Sequence, residues 1–472
     1  MARLYPGNRD RGTAVSSRMH VGDMNRRSPA VAALLSFVWP GLGHAYLGRR
    51  RTAIVFAVPM LVVTLAVAIK LVSGLQNFAF YAITPSGAFT LFVLLALSGM
   101  WRLIALADAV LVAHHDTGFI GPRAAFLAGA LVALVVVTHG SLGWVAYAGY
   151  DASSQIFNGN GDDTLPSVPP SEPPDDQIVD ASGSPGPTSS PNSSLTDGRL
   201  TFLLLGVDSA PGRTEALTDS ILIVSIVPST GAVAMISIPR DISYFPVYNG
   251  GIYKGKINEF LWYSGNHPSR FPEGGFEATM AEMGFIVGVP IDYYAVVNLG
   301  GFRTLIDTIG GITVDNPKAI FDPRYEWLDG TFGLTMPAGV QTLNGRNALA
   351  FVRSRQGIGD SDFTRAGRQQ IMLLALREKL ISPDMLVKIP SILQVAGQTV
   401  RTNIPPETVG NLVDLAKGVD KTAIQQVVLE PPYSFHPPNS ATGGTYILQL
   451  VPEQLYAMSI KMFGSDSRYF AK

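Results

Sequence analysis

Three stretches of this chain, near residues 53–73, 88–112 and 124–149, are apolar over a length that few settings tolerate. A helix of roughly 20 apolar residues crosses the hydrocarbon of a bilayer. The alternative, a buried helical core, needs polar sequence to cover it, and little lies nearby. The three are therefore read as membrane spans. A fourth apolar segment, Ser28 to Leu47, is broken by Pro40, Gly41 and Gly43.

Basic residues orient the spans, because Lys and Arg collect on the cytoplasmic side. Residues 1–51 hold nine Arg and two Asp, a surplus of +7. Arg49, Arg50 and Arg51 put the start of the first span in the cytoplasm. The loop 74–87 has no charge and falls outside, Arg123 returns inside, and the chain from residue 150 emerges outside. If 28–47 also spanned, the six Arg of residues 1–27 would face outside. That segment is therefore read as re-entrant or interfacial. Its run Pro40-Gly41-Leu42-Gly43-His44-Ala45-Tyr46-Leu47-Gly48 resembles the signature of a small membrane-hairpin module. Arg102 and Asp108 read as snorkelling towards an interface, and His114 and His115 as interfacial. Residues 1–27 lack the apolar core and cleavage site of a signal peptide.

Beyond the spans the composition changes. Residues 151–199 contain eight Pro, ten Ser and five Gly, with eight acids against one base. Such a segment cannot bury enough apolar surface to offset its ordering entropy, so it reads as an acidic, extended, disordered tether. Residues 200–472 carry 22 bases and 24 acids, and the whole chain −1, which gives no reason to expect a nucleic-acid binder. The absence of Cys excludes disulfides, thiolate metal sites and cysteine nucleophiles. The organisation that follows is a basic cytoplasmic arm (1–27), a transmembrane region (28–150), a linker (151–199), an extracytoplasmic domain (200–382) and its continuation (383–472).

Short apolar runs at 200–207, 221–227 and 232–238 read as buried strands. Helical spacing appears at 299–309, 345–352 and 365–380. The mixture predicts an α/β class, a central mixed sheet flanked by helices, behind an all-α transmembrane region.

Polar residues gather at the ends of these elements, where α/β sites form. Asp208 ends the first strand, Asp219 precedes the second, and Arg240-Asp241 ends the third. Lys256 and Asn258 follow, then Arg353 and Arg355, then Asp362, Arg365, Arg368 and Gln369. Thr364 or Asp362 is the expected cap of the last helix. Arg365, Arg368 and Gln369 then share a face of its first turns. Cations at a helix N-terminus oppose the dipole, so their presence makes sense if an anion is held there. Arg forks suit phosphate. Asp208 and Asp219 suit a hard cation, Mg²⁺ or Mn²⁺, which takes one or two carboxylates plus substrate phosphates. Taken singly, each Arg reads as a salt-bridge residue and each Asp as a cap. Asp360 and Asp362 lack EF-hand spacing. The combination points to a magnesium–pyrophosphate site.

These residues resemble a known family. Leu205-Gly206-Val207-Asp208, Thr218-Asp219-Ser220, Ile238-Pro239-Arg240-Asp241, Lys256-Ile257-Asn258, Gly310-Gly311-Ile312, Arg353-x-Arg355 and Asp362-x-x-Arg365-x-x-Arg368-Gln369 are similar, in order and spacing, to the LytR-CpsA-Psr phosphotransferase domain. The resemblance covers residues 200–380. It implies transfer of a glycan from a polyprenyl-pyrophosphate carrier to peptidoglycan through a phosphodiester, at the outer face of the membrane. It implies Arg240, Arg353, Arg355, Arg365 and Gln369 on the pyrophosphate, Asp208 and Asp219 around Mg²⁺, Asp362 orienting the arginines, and Asp241 positioning Arg240. Lys256 and Asn258 match a motif near the site. An apolar tunnel for the carrier lipid is also implied. Ser209-Ala210-Pro211-Gly212 stands where some members place an early Arg.

Two rival readings share parts of this pattern. A polyprenyl-pyrophosphate hydrolase would use the same Arg and Asp set with water as acceptor. A non-catalytic sensor or transcriptional attenuator would need a basic DNA-binding element, and the one basic cluster is the membrane-flanking arm. No His-Glu-x-x-His, Gly-x-Ser-x-Gly or Walker motif is present.

Overall fold

The computed structural model describes residues 27–72, 74–118, 121–157, 178–179, 198–207, 217–420 and 423–469. They divide into two compact units, one of residues up to 69 with 93–143, the other of 70–92 with 144–469. Three helices, Arg50–Val72, Pro85–His115 and Pro122–Phe157, are long and apolar enough to cross a membrane.

In the first unit the segment 28–47 folds as two short helices, Pro29–Val38 and Leu42–Tyr46. Gly41 at the corner has φ 98°, and a Cβ there would lie 2.3 Å from the Ala53 carbonyl oxygen. Only glycine fits both demands. Arg102 and Asp108 do not merely reach for an interface. Arg102 Nη1 donates to the Phe37 carbonyl at 3.1 Å, and Asp108 lies 2.8 Å from Nε2 of the fully buried His44. Polar groups among apolar helices need such partners, which explains the difference.

The second unit is built on a six-stranded mixed sheet. Its strands are β1 (Leu200–Val207), β2 (Thr218–Val227), β3 (Ala232–Ser237), β4 (Tyr293–Asn298), β5 (Val400–Thr402) and β6 (Ile424–Val428). The spatial order is β5-β4-β1-β2-β3-β6, with β1–β4 and β3–β6 parallel and the other pairs antiparallel. Alternation divides each strand between two faces. Leu203, Leu205, Ile221, Ile223 and Ile236 pack with the helices Gly275–Val287 and Pro452–Phe463. Leu222, Val224, Val233 and Met235 face Leu373 and Leu374 of the helix Asp362–Leu380. The sheet is thus covered on both sides, the predicted α/β sandwich.

The residues from 383 onward supply the outer strands β5 and β6 and the helix Pro452–Phe463. Most of the expected tether lies outside the described residues. Within it, Ile178–Val179 pairs antiparallel with Tyr253 and Ile252. Two adjacent β-branched residues in an otherwise polar stretch suit a strand edge, and Ile178 also packs on the core.

Candidate phosphate-binding site

The register of β1 and β2 positions the first site residues. Gly206 pairs with Ser220, but the next residue, Val207, pairs with Thr218. Asp219 is therefore an extra residue in β2. A bulge of this kind re-aims side chains that strict alternation would send to opposite faces. Asp219 and Ser220 consequently both line one cavity.

That cavity, about 350 Å³, lies between the sheet and the helix Asp362–Leu380. Its volume falls in the roughly 300–1,000 Å³ range of small-molecule sites. One part of its wall is apolar, formed by Leu204, Leu222, Leu299, Phe302, Met372 and Leu376 among others. The other part carries Arg240, Arg353, Arg355, Arg365 and Gln369 beside Asp219. Four guanidinium groups thus meet one carboxylate in the lining.

Each arginine is held by a neighbour. Arg240 Nη1 donates to Asp219 Oδ1 at 2.6 Å, and its Nε lies 3.7 Å from Asp241 Oδ2. Burial opposes its charge, but Asp219, Asp241 and Asp362 more than compensate, so Arg240 is held above the ordinary guanidinium value. Arg365 is shifted the other way. Its burial lowers its proton affinity, and Arg240 adds to that against the pull of Asp362. Asp362 Oδ1 is buried 3.0 Å from Arg365 Nη2 and 3.6 Å from Arg355 Nη1, without hydrogen-bond geometry to any partner among the described residues. Arg353 stands beside Tyr325, whose hydroxyl is pushed up by burial and pulled back by this guanidinium. Cations crowded together in a half-dry cavity are a site for an anion with several negative oxygens.

Three expected residues stand behind the lining. Asp241 is buried and accepts from Lys256 Nζ at 2.5 Å. Asn258 is buried, its N–H donates to the Arg240 carbonyl at 3.4 Å, and its own carbonyl accepts from Thr218 Oγ1 at 3.0 Å. They tie the Arg240 turn to the start of β2.

Arg368 is not brought to the cavity. Its Nε donates to the Phe351 carbonyl at 2.8 Å, Nη1 to Asp360 at 2.9 Å, and Nη2 to the Ser354 carbonyl. The helical period gives the reason. Gln369 is four residues from Arg365 and shares its face, while Arg368 is turned about 100° from Gln369. The helix cap also differs from expectation. Ser361 is the N-cap, its hydroxyl accepting from the Thr364 N–H in a capping box. Asp208 lies outside the described residues.

Sequence reasoning did not single out Ser220, whose Oγ donates to Gln369 Oε1 at 2.9 Å. Gln369 Nε2 in turn donates to the Val352 carbonyl at 3.2 Å. The signal was present in the alternation, which puts Ser220 on the same face as Leu222 and Val224.

Among the described residues no three His, Asp or Glu are grouped to hold a metal ion. Among the described residues Asp219 is the one carboxylate of the lining. This donor set fits Mg²⁺, which binds through one or two carboxylates and completes its coordination with water and phosphate oxygens.

The LytR_cpsA_psr family model matches residues 176–463, well over half of the chain. The chain belongs to the LytR_cpsA_psr family. The match begins just before the strand Ile178–Val179 and takes in every cavity residue named above. Among curated relatives, the polyisoprenyl-teichoic acid–peptidoglycan teichoic acid transferase TagU of Bacillus licheniformis is 32% identical over 46% of this chain and 63% of that protein. TagU of Bacillus subtilis is 31% identical over 47% of this chain and 65% of that protein. The chain thus spans slightly less than two thirds of the length of these relatives. The solved structure of B. subtilis TagV is 25% identical with a TM-score of 0.45, covering 58% of this chain and 98% of that one.

Proposed function

We propose that this LytR_cpsA_psr family member transfers a glycan phosphate from a polyprenyl-pyrophosphate carrier to peptidoglycan. One observation carries the reading: a single cavity joins an arginine cluster to an apolar wall. A lipid pyrophosphate has the matching halves. Its isoprenoid chain gains from apolar burial, at roughly 25 cal/mol per Å², and its diphosphate gains from bidentate guanidinium contacts. The relatives named for teichoic acid transfer to peptidoglycan support the same class of donor and acceptor.

In the proposed reaction an acceptor hydroxyl oxygen attacks the phosphorus that bears the glycan. A new P–O bond forms, the bond from that phosphorus to the bridging oxygen breaks, and the lipid leaves as its monophosphate. The hydroxyl proton passes to a base or to water. Catalysis of this kind is mostly positioning and charge neutralisation. Arg240, Arg353, Arg355 and Arg365 hold the diphosphate oxygens and stabilise charge on the leaving group. Asp362 spaces Arg355 and Arg365, Asp241 and Lys256 fix Arg240, and Ser220 orients Gln369. Asp219, with Asp208 as its expected partner, would hold Mg²⁺, which would supply Lewis-acid neutralisation of the phosphates.

The same reading places the domain on the outer side of the membrane. Arg49, Arg50 and Arg51 at the start of the first span, and Arg123 at the start of the third, belong in the cytoplasm under the positive-inside rule. The third helix, 36 residues long, extends about 54 Å, well past the hydrocarbon thickness.

The test follows products by mass spectrometry. The chain in detergent micelles is mixed with Mg²⁺, a lipid-pyrophosphate oligosaccharide and peptidoglycan fragments. Glycan phosphate on the acceptor together with lipid monophosphate is the expected outcome. Cleaved donor with no acceptor adduct identifies a hydrolase and overturns the transferase reading.

A further inference from the structure

The cavity accounts for the donor but leaves open where the acceptor binds. If the lipid fills the apolar wall, as the proposed function requires, the acceptor approaches the arginines from the solvent side. A chain segment that meets the residues just after Arg240 comes from far along the sequence. Leu448 N–H donates to the Asp241 carbonyl at 2.8 Å, and Ser243 N–H donates to the Leu448 carbonyl at 2.8 Å. Ile242 and Leu448 form a parallel bridge. Tyr446, two residues before Leu448, therefore belongs to the segment that joins the chain beside the Arg240-Asp241 turn.

Tyr446 is 48% exposed and is absent from the cavity lining. Its ring lies over His436, with centroids 4.7 Å apart and planes inclined by 30°. The imidazole is fixed in place, Nδ1 donating to the Ile447 carbonyl at 2.8 Å and Nε2 lying 3.2 Å from Asn439 Oδ1. These two contacts fix the ring plane, so His436 serves as a backing plate for Tyr446. The phenol is held above its usual range by partial burial, then by the carboxylates of Asp241 and Asp362. Asp241 also contacts Arg240, and Asp362 contacts Arg355 and Arg365.

We infer that Tyr446, backed by His436, is the surface on which a sugar ring of the acceptor glycan stacks at the outer edge of the arginine cluster. A hexopyranose has an apolar C–H face and a rim of hydroxyls. An exposed tyrosine offers an apolar face and a polar tip in one side chain. The face carries no formal charge, which suits a neutral N-acetylated sugar. Tyr446 is a positioning residue in this account: it holds the ring so that a neighbouring hydroxyl reaches the phosphate.

The inference rests on the phosphotransfer reading, and two measurements separate their failures. The first titrates the full chain in detergent micelles with amidase-released glycan strands of alternating N-acetylglucosamine and N-acetylmuramic acid, without donor. Tyr446→Ala should weaken binding roughly tenfold, Tyr446→Phe should restore most of it, and His436→Ala should fall between. The second measures transfer kinetics. Tyr446→Ala should raise the acceptor KM by a similar factor, with kcat and donor KM within about twofold and an unchanged melt. Unaltered glycan affinity in Tyr446→Ala overturns the subsite, whatever the transfer assay shows. Raised donor KM in that variant also overturns it, because the residue then shapes the donor site. Glycan binding that needs Tyr446 in a chain that transfers nothing keeps the subsite and defeats the phosphotransfer reading.

Discussion

Arg365 and Arg368 sit three residues apart on one helix, with side chains 8% and 6% exposed. Burial alone would rank them as equals. Arg368 spends its guanidinium on Asp360 and two carbonyls. Arg365 is ion-paired only with Asp362 among the described residues, and it shares its cavity with three other arginines. The first is a closed structural pair, and the second is an open site with cationic donors to spare. The number of fixed partners, not depth, separates an arginine that holds the fold from one placed to hold a ligand.

The sharpest way to break this contrast is to truncate both. Arg368→Ala strands the buried Asp360 and leaves two carbonyls unpaired, so stability should fall by about 3–5 kcal/mol in a denaturant titration. A melt like that of the parent chain would mean the closed pair is not structural. Arg365→Ala relieves crowding among cations, so its melt should barely move. Its transfer rate should fall roughly 10²–10³-fold, the usual loss for one preorganised oxyanion donor. Arg355→Ala should behave alike. Parental rates in both would remove the arginines from the site.

Chelating divalent metal should slow transfer at least about tenfold, and Asp219→Ala should do the same. Full rate in metal-free buffer would exclude the Mg²⁺ role.

An effect remote from the cavity concerns Glu282, a buried acid of the opposite sheet face. It accepts from the Tyr248 N–H at 3.0 Å, and its Oε1 has no hydrogen-bond partner among the described residues. Burial pushes its carboxyl up to about 8, against the Tyr248 hydrogen bond and Arg468. The folded chain then keeps a proton that the unfolded chain has released. Stability should therefore fall as pH rises from the ordinary glutamate range to about 8, and level off above it. Glu282→Gln should lack this slope. The variant should gain on the parent chain over that window, by an amount on the order of a few kcal/mol. Parallel melting curves across pH 5–8 would contradict the assignment.

The elements with simple periodicity were legible in the sequence. Three apolar runs became three helices of spanning length, and Leu200–Val207 became the strand beside which the cavity forms. The arginine cluster was legible too, because motifs mark strand ends and helix starts. What escaped depended on a single step of rotation or register. Arg368 differs from Gln369 by one helical position. Asp219 joins Ser220 on the cavity face because it is a bulge residue. The segment that carries Tyr446 joins the one after Arg240 through a bridge, Ile242 to Leu448, across about two hundred residues, which no local pattern encodes. The ties of Arg102 and Asp108 to the short helices were equally non-local.

The central claim is that one cavity holds both halves of a lipid pyrophosphate, with Arg365 and not Arg368 on the diphosphate. The most direct test measures the affinity of a short-chain polyprenyl pyrophosphate for the parent chain, for Arg365→Ala, and for the parent chain with the monophosphate in its place. The account predicts a loss of tenfold or more in the variant and a comparable loss with the monophosphate. Equal affinity across all three would contradict it.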